Sequence, residues 1–195
     1  MFGQDWGFYT IITYIPTYLD AVLHMDIQNN GLVNAVAYTI LWTIGMLAGV
    51  LADYVETKHL ISRTWNRKGL YIFSTTIHSL GFLGVSYAEC NEIAVIAFFM
   101  TGMASVGLFY PSVKVNPMDL SPNFAGTIGG IGQMGGCLAG VLVPNVVGYL
   151  TPNSFHSEWR KVFWISFGCV FSGGLLFFLL SSAEVQPFNE FKQVG

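Results

Sequence analysis

The sequence predicts an all-α, polytopic membrane protein with six transmembrane helices. Three observations carry that reading. Of 195 residues, 53% are hydrophobic and only 10% are charged, where an ordinary soluble domain has about 25% charged residues. The charges are gathered between long apolar tracts, since residues 27–52, 69–88, 93–113 and 162–183 contain no Asp, Glu, Lys or Arg. Each tract is close to the roughly 20 residues that a helix needs to cross a hydrocarbon core of about 30 Å. Backbone in lipid must also satisfy its own hydrogen bonds, which a helix does.

Helices are predicted over 6–24, 30–52, 69–88, 92–114, 123–149 and 160–181, as a single six-helix domain over 1–195. The first is charge-free from 6 to 19 and is interrupted by Asp20. The fifth lies in a long uncharged tract, 120–157, punctuated by Pro122, Pro144 and Pro152. The linkers are short except for 53–68, which carries Asp53, Glu56, Lys58, Arg63, Arg67 and Lys68. Met1 lies near the first apolar run, with no basic segment before Asp5 and no small-residue cleavage site, so no signal peptide is predicted.

Basic loops stay in the cytosol. Six crossings place Lys58, Arg63, Arg67, Lys68, Lys114 and Lys192 on one side and only Arg160 and Lys161 on the other. Both termini are therefore expected to be cytosolic. Trp6, Trp42, Trp65, Trp159 and Trp164 mostly fall near predicted helix ends and read as interfacial anchors. Cys90, Cys137 and Cys169 are an odd set without metal-ligand spacing. A net charge of −3, with no basic aromatic face, excludes a nucleic-acid partner. No metal site or cofactor fingerprint is present.

Glycine is concentrated in the fifth helix at Gly126, Gly129, Gly130, Gly132, Gly135, Gly136 and Gly140. Small residues four apart let helix backbones approach closely in lipid, so Gly132 and Gly136 are read as structural or gating positions. Pro16, Pro111 and Pro144 interrupt apolar helices, and such breaks are tolerated where they border protein or a cavity.

Polar side chains inside spans are costly and mark function. Tyr9, Thr13 and Thr17 share one face of the first helix by four-residue spacing. They line water or a substrate path, or else the threonines bond back to their own helix. Asn34 and Tyr38 are one turn apart on the second helix, His78 lies on the third, and Gln133 lies among the glycines of the fifth. Lys114 is expected to extend to the cytosolic interface. Ser105 and His78 have no spacing that makes them a hydrolytic pair, and no enzyme activity is expected.

The segment Asn116-Pro117-Met118-Asp119-Leu120-Ser121-Pro122-Asn123-Phe124-Ala125-Gly126 resembles a signature of the anion:cation symporters, Asn-x-x-Asp-(Leu/Ile)-(Ser/Ala)-Pro-x-(Tyr/Phe)-Ala-Gly. These form a branch of the major facilitator superfamily that includes sialin, the vesicular glutamate transporters and the type I sodium–phosphate cotransporters. Trp6-Gly7-Phe8-Tyr9 with Ile15-Pro16-Thr17-Tyr18 is similar to the opening of that family's seventh helix. Gly49-Val50-Leu51-Ala52-Asp53 is similar to the end of its eighth. Glu158-Trp159, Val162-Phe163 and Glu184-Val185-Gln186-Pro187-Phe188 are similar to its twelfth helix and exit.

The resemblance covers nearly the whole chain and aligns it with the C-terminal six of twelve helices. It implies a secondary active transporter of organic or inorganic anions, coupled to protons or sodium ions. The implied partners are a small anion, membrane lipid and an N-terminal six-helix half. In that reading Tyr9, Thr13, Tyr38, Asn116 and Gln133 contact substrate, while Asp53 and Asp119 belong to the cytosolic gate. Gln4 stands where glutamate-carrying members have an arginine, which leans the expectation toward sialin-like or phosphate-type substrates. The resemblance leaves plasma, lysosomal and vesicular membranes equally open. The rival expectation is a six-helix scaffold that dimerises through Gly132 and Gly136 and carries nothing.

Overall fold

The computed structural model describes residues 1–88 and 91–190. Cys90 and Lys192, named in the cysteine and charge arguments, lie outside the described residues. Six long helices form the bundle: α1 (Phe2–Ala21), α2 (Ile27–Thr57), α3 (Arg63–Tyr87), α4 (Glu92–Val106), α6 (Ala125–Leu150) and α7 (His156–Leu180), with a short α5 (Asn116–Leu120) between α4 and α6. No strand occurs among the described residues.

The ends differ from expectation for local reasons. α1 stops at Ala21 rather than residue 24, because His24 adopts a left-handed φ of 54°. The Met25 N–H then reaches back to the Leu19 carbonyl. This bond, six residues back, gives one of the helix's last carbonyls a partner. Asp26 caps α2, its carboxylate accepting the Asn29 N–H at 3.3 Å. α2 runs on to Thr57 instead of residue 52, and α3 begins at Arg63 instead of residue 69. The long charged linker is thereby reduced to 58–62, and most of its charges sit on helical turns facing one another. α7 starts at His156, four residues early, where the Glu158 carboxylate accepts the N–H groups of Asn153 and Phe155.

The fourth predicted helix, 92–114, is not one regular helix. α4 is followed by a 3₁₀ turn, Gly107–Phe109, and a π turn, Tyr110–Lys114. Pro111 has no N–H to donate, so the regular ladder is interrupted there. π turns inside helices are rare and frequent at functional sites.

Ile27–Thr57, Glu92–Leu120, Pro122–Leu150 and His156–Leu180 are long and apolar enough to cross a membrane by composition alone. The other two, α1 and α3, bury polar residues instead. α1 encloses Gln4, Asp5 and Thr10, and α3 encloses Asn66, Arg67, Ser74, Thr75, His78, Ser79 and Ser86. Their polar faces are turned onto neighbouring helices, α3 against α7 and α4 and α1 against α6 and α7. The chain is an all-α integral membrane protein whose least apolar helices are its most enclosed.

The core lies between α1, α3, α4 and α7. Tyr18 is fully buried, with its ring edge-on to Phe163 at 5.2 Å and to Trp159 at 5.6 Å. Trp6 and Trp159 belong to this core rather than to an interfacial belt, whereas Trp42, Trp65 and Trp164 are exposed. The buried tryptophans go where their large apolar area is best covered.

A hydroxyl relay pins α1 to α7. Trp6 Nε1 donates to Ser166 Oγ at 3.3 Å, Ser166 Oγ donates to Thr10 Oγ1 at 3.3 Å, and Thr10 Oγ1 donates to the Trp6 carbonyl at 2.9 Å. Ser166→Ala leaves the buried indole N–H without an acceptor. We expect a loss of about 1–3 kcal/mol, the cost of one unsatisfied buried donor, seen as a lower melting temperature by tryptophan fluorescence.

Candidate functional site

Two polar regions stand out, and both use residues that the sequence singled out. The first is at the end of the bundle where α2 passes into α3. Arg67 is buried, and its guanidinium joins three elements. Nε donates to Asp119 Oδ2 at 2.8 Å, Nη1 to the Pro111 carbonyl at 2.9 Å, and Nη2 to Glu56 Oε2 at 3.2 Å. Arg63 pairs with Glu56 and approaches Asp119 Oδ1 at 3.7 Å. The Pro111 carbonyl is presented by the π turn, so the irregular backbone supplies part of this lock. A planar guanidinium offers five donors in a fixed fork and can tie carboxylates and a carbonyl together at once.

Asp119 therefore sits in an ion-pair network. Asp53 does not: among the described residues it makes no ion pair, and it lies exposed beside Arg67, Tyr110 and Pro111. Glu56, on the following turn, takes the pairing role. By sequence, Glu56, Arg63 and Arg67 read as charges of a long linker, with no site role. Their clustering with Asp53 was visible as a run of mixed charge, and only the helical extension of α2 and α3 brings them together. Asn116 is buried at the same end, bordering a cavity of about 720 Å³ between the start of α1, α7 and the chain's tail. Its Oδ1 has no hydrogen-bond partner. Asn189 closes that tail onto the α5–α6 link, its Oδ1 accepting from Ser121 Oγ at 2.7 Å and from the Asn123 N–H at 3.1 Å.

The second region is a polar face shared by α1, α2 and α6. Thr17, Asn30, Asn34 and Tyr38 line a groove of about 600 Å³ between α1 and α2, with Pro16 in its wall. The Pro16 carbonyl accepts from Asn30 Nδ2 at 2.8 Å, and Asn30 Oδ1 accepts from Asn34 Nδ2 at 3.0 Å. Tyr38 is 43% exposed. Thr13 is exposed too, and neither Thr13 nor Thr17 shows the side-chain bond to its own helix that Thr10, Thr39 and Thr43 make. Tyr9 is half-buried against Gly140 of α6. The structure thus brings Thr17 and Tyr38 together, aligns Tyr9 and Thr13 along the same face, and leaves Asn116 and Asp119 at the far end.

α6 uses its glycines selectively. A Cβ on Gly132 would strike Met1, one on Gly136 would strike the Asp5 carboxylate, and one on Gly140 would crowd Tyr9. This face is how α6 closes on α1. Gly126, Gly129 and Gly130 meet nothing within 4 Å.

Between the two regions lies Lys114, on the π turn. Its ammonium donates to Gln133 Oε1 on α6 and stands 5.5 Å from the Phe109 ring centroid. Gln133 is eight residues into α6, about 12 Å from its start at 1.5 Å per residue. Asp5 lies within electrostatic range of Lys114 but does not pair with it.

Deeper still, Gln4 Nε2 donates to His78 Nδ1 at 3.2 Å, and both side chains are fully buried. That bond leaves the imidazole proton on Nε2, which has no acceptor. Ser105 Oγ donates to the Gly102 carbonyl at 2.6 Å. The hydroxyl and the imidazole are thus each engaged elsewhere and form no nucleophilic pair.

The described residues thus form a helical membrane bundle with an ion-paired end and a partly exposed polar face. The chain belongs to the Major Facilitator Superfamily, whose sequence profile matches residues 1–144. It is 34% identical over 95% of its length to an uncharacterized transporter of Caenorhabditis elegans, of which it covers 38%. It is 29% identical over 95% of its length to sheep sialin, covering 37% of that protein. It is likewise 29% identical over 95% of its length to human sodium-dependent phosphate transport protein 4, covering 44%. The chain thus spans well under half the length of the curated relatives it matches.

Proposed function

We propose that this chain is the C-terminal six-helix half of a secondary active anion transporter of twelve helices, driven by a proton or sodium gradient. The observation that carries the reading is the open polar face. Thr13, Thr17, Tyr38 and Gln133 are exposed on helices that otherwise present apolar side chains outward. Such groups are costly against lipid and are kept where they border water or a substrate path. In facilitator transporters the path runs between two halves, with the site near the bilayer midplane. Tyr9, Thr13, Tyr38 and Gln133 would line this half of the path. Asn116 would be reached from the α2–α3 end, which Asp119, Arg67, Glu56 and neighbouring Asp53 would close. Gly132 and Gly136 would let α6 and α1 slide as the halves rock. Both termini would lie in the cytosol.

Uptake is the test. The full-length protein in proteoliposomes, with an imposed inward proton or sodium gradient, is expected to accumulate labelled phosphate or N-acetylneuraminate above the no-gradient control. Absence of gradient-dependent uptake of either anion and of glutamate would reject the reading. A non-transporting scaffold would then be favoured, but Gly132 and Gly136, expected to dimerise it, already pack on α1, so its free small-residue face would be Gly126, Gly129 and Gly130.

A further inference from the structure

We propose that Lys114, steered by Gln133, is an anion seat on the polar face, and that it takes a singly charged oxyanion such as a carboxylate or monobasic phosphate. The inference rests on the transport reading for its biological role, but the seat itself is a binding site that stands on geometry.

Three observations support it, and a fourth limits the charge it can take. First, the Lys114 ammonium carries a charge that no ion pair neutralises among the described residues, in which Arg63 and Arg67 hold the salt bridges. An unneutralised cation within a span is expensive and is retained for a role. Second, the ammonium is held in place, with its Oε1 acceptor on Gln133 and the Phe109 ring beneath it. An ammonium has three donors, and Gln133 takes one. Third, neutral donors stand on neighbouring positions. Tyr110, one turn before Lys114, is 43% exposed, and so is Tyr38, which lies within electrostatic range of Tyr110. The Gln133 amide nitrogen adds a neutral donor. Fourth, the Asp5 carboxylate lies nearby, buried, with Oδ2 lacking a hydrogen-bond partner.

These groups together set the ligand's charge. One ammonium with amide and phenol donors matches a monoanion. A dianion would place a second negative charge near Asp5, and like charges brought together in a poorly solvated site repel strongly. Asp5 therefore acts as a resident competitor for the Lys114 charge, which gives the two residues opposite effects on anion binding.

The experiment uses the purified full-length protein and reads its melting temperature against added N-acetylneuraminate or inorganic phosphate, with matched chloride as the ionic-strength control. The wild type is expected to be stabilised in a saturable way by at least one of the two probes, and the more effective probe tells carboxylate from phosphate. Lys114→Gln is expected to weaken the apparent affinity about tenfold or more, the equivalent of one charge-assisted hydrogen bond. Lys114→Arg should retain most of the affinity. Asp5→Asn should strengthen it, an effect that a merely structural role for the cluster would not produce. The seat is overturned if the wild type shows no stabilisation beyond chloride, or if Lys114→Gln keeps wild-type affinity while folded. If the seat binds anions and proteoliposomes show no uptake, the transport reading fails while the seat stands. If uptake proceeds with unchanged KM in Lys114→Gln, the seat fails while the transport reading stands.

Discussion

Replacing Arg67 with Gln is expected to destabilise the protein by about 3–5 kcal/mol, the cost of removing one partner from a buried ion pair. The magnitude follows from what is left behind. Asp119, itself 9% exposed, loses its 2.8 Å partner, the Pro111 carbonyl loses a donor, and Glu56 keeps only Arg63. Arg63 already stands 3.7 Å from Asp119 and can move toward it, which pulls the loss toward the lower end of that range. Arg67→Lys restores charge but not the fork, so it should recover only part of the stability. The double change Arg67→Gln with Asp119→Asn removes the uncompensated charge, and it should be less damaging than Arg67→Gln alone. Melting temperatures of the detergent-purified protein would check all three. Equal melting temperatures for wild type and Arg67→Gln would mean that the lock contributes nothing to folding.

Gly107→Ala is the second change with a large expected effect. A Cβ there would lie 2.7 Å from the Gly45 backbone nitrogen and 2.9 Å from the Leu41 carbonyl oxygen. Both atoms are α2 main chain, so neither can swing aside as a side-chain tip would. Helix α2 must move away, and overpacking of this kind costs about 1–3 kcal/mol or more. The displacement also carries Tyr38 away from Tyr110, because both are on the elements being separated. Gly168→Ala on α7 is the control, since its Cβ meets nothing within 4 Å. It should be neutral or slightly stabilising, as alanine is the better helix former. A melting temperature lowered by Gly107→Ala and not by Gly168→Ala is the expected pattern. Equal effects would mean that the α2 contact is loose.

The pairing that matters at the locked end was only half legible. Asp119 stood out because it closes a motif, and Asp53 because it ends another. Arg67 and Glu56 looked like ordinary linker charges. Their importance depends on α2 and α3 continuing as helices past the apolar tracts, with Asn66 Nδ2 donating to the Ala52 carbonyl at 3.1 Å across the turn. Lys114 was legible as a lone charge beside a long apolar run, but its partner on α6 was not. A long flexible stem can take its ammonium outward or inward, and the choice depends on Gln133 being present on a helix nineteen residues away in sequence. The tryptophans show the same limit: most lie near predicted helix ends and read as anchors, yet Trp6 and Trp159 are enclosed because α1 and α7 meet there.

The sequence by itself determined that the chain is helical and lies in a membrane. The exclusion of charge from long tracts is a local property, and lipid leaves a backbone no alternative to the helix at that length. It also determined which polar residues would need an explanation, since each is costly wherever the span is placed. Tertiary structure alone decided which of them meet. Arg67 reaches Asp119 across 52 positions, Gln4 reaches His78 across 74, and only part of the glycine stripe on α6 is used against α1. Those contacts depend on how closely and at what rotation the helices pack, which hydropathy and spacing along one helix do not encode.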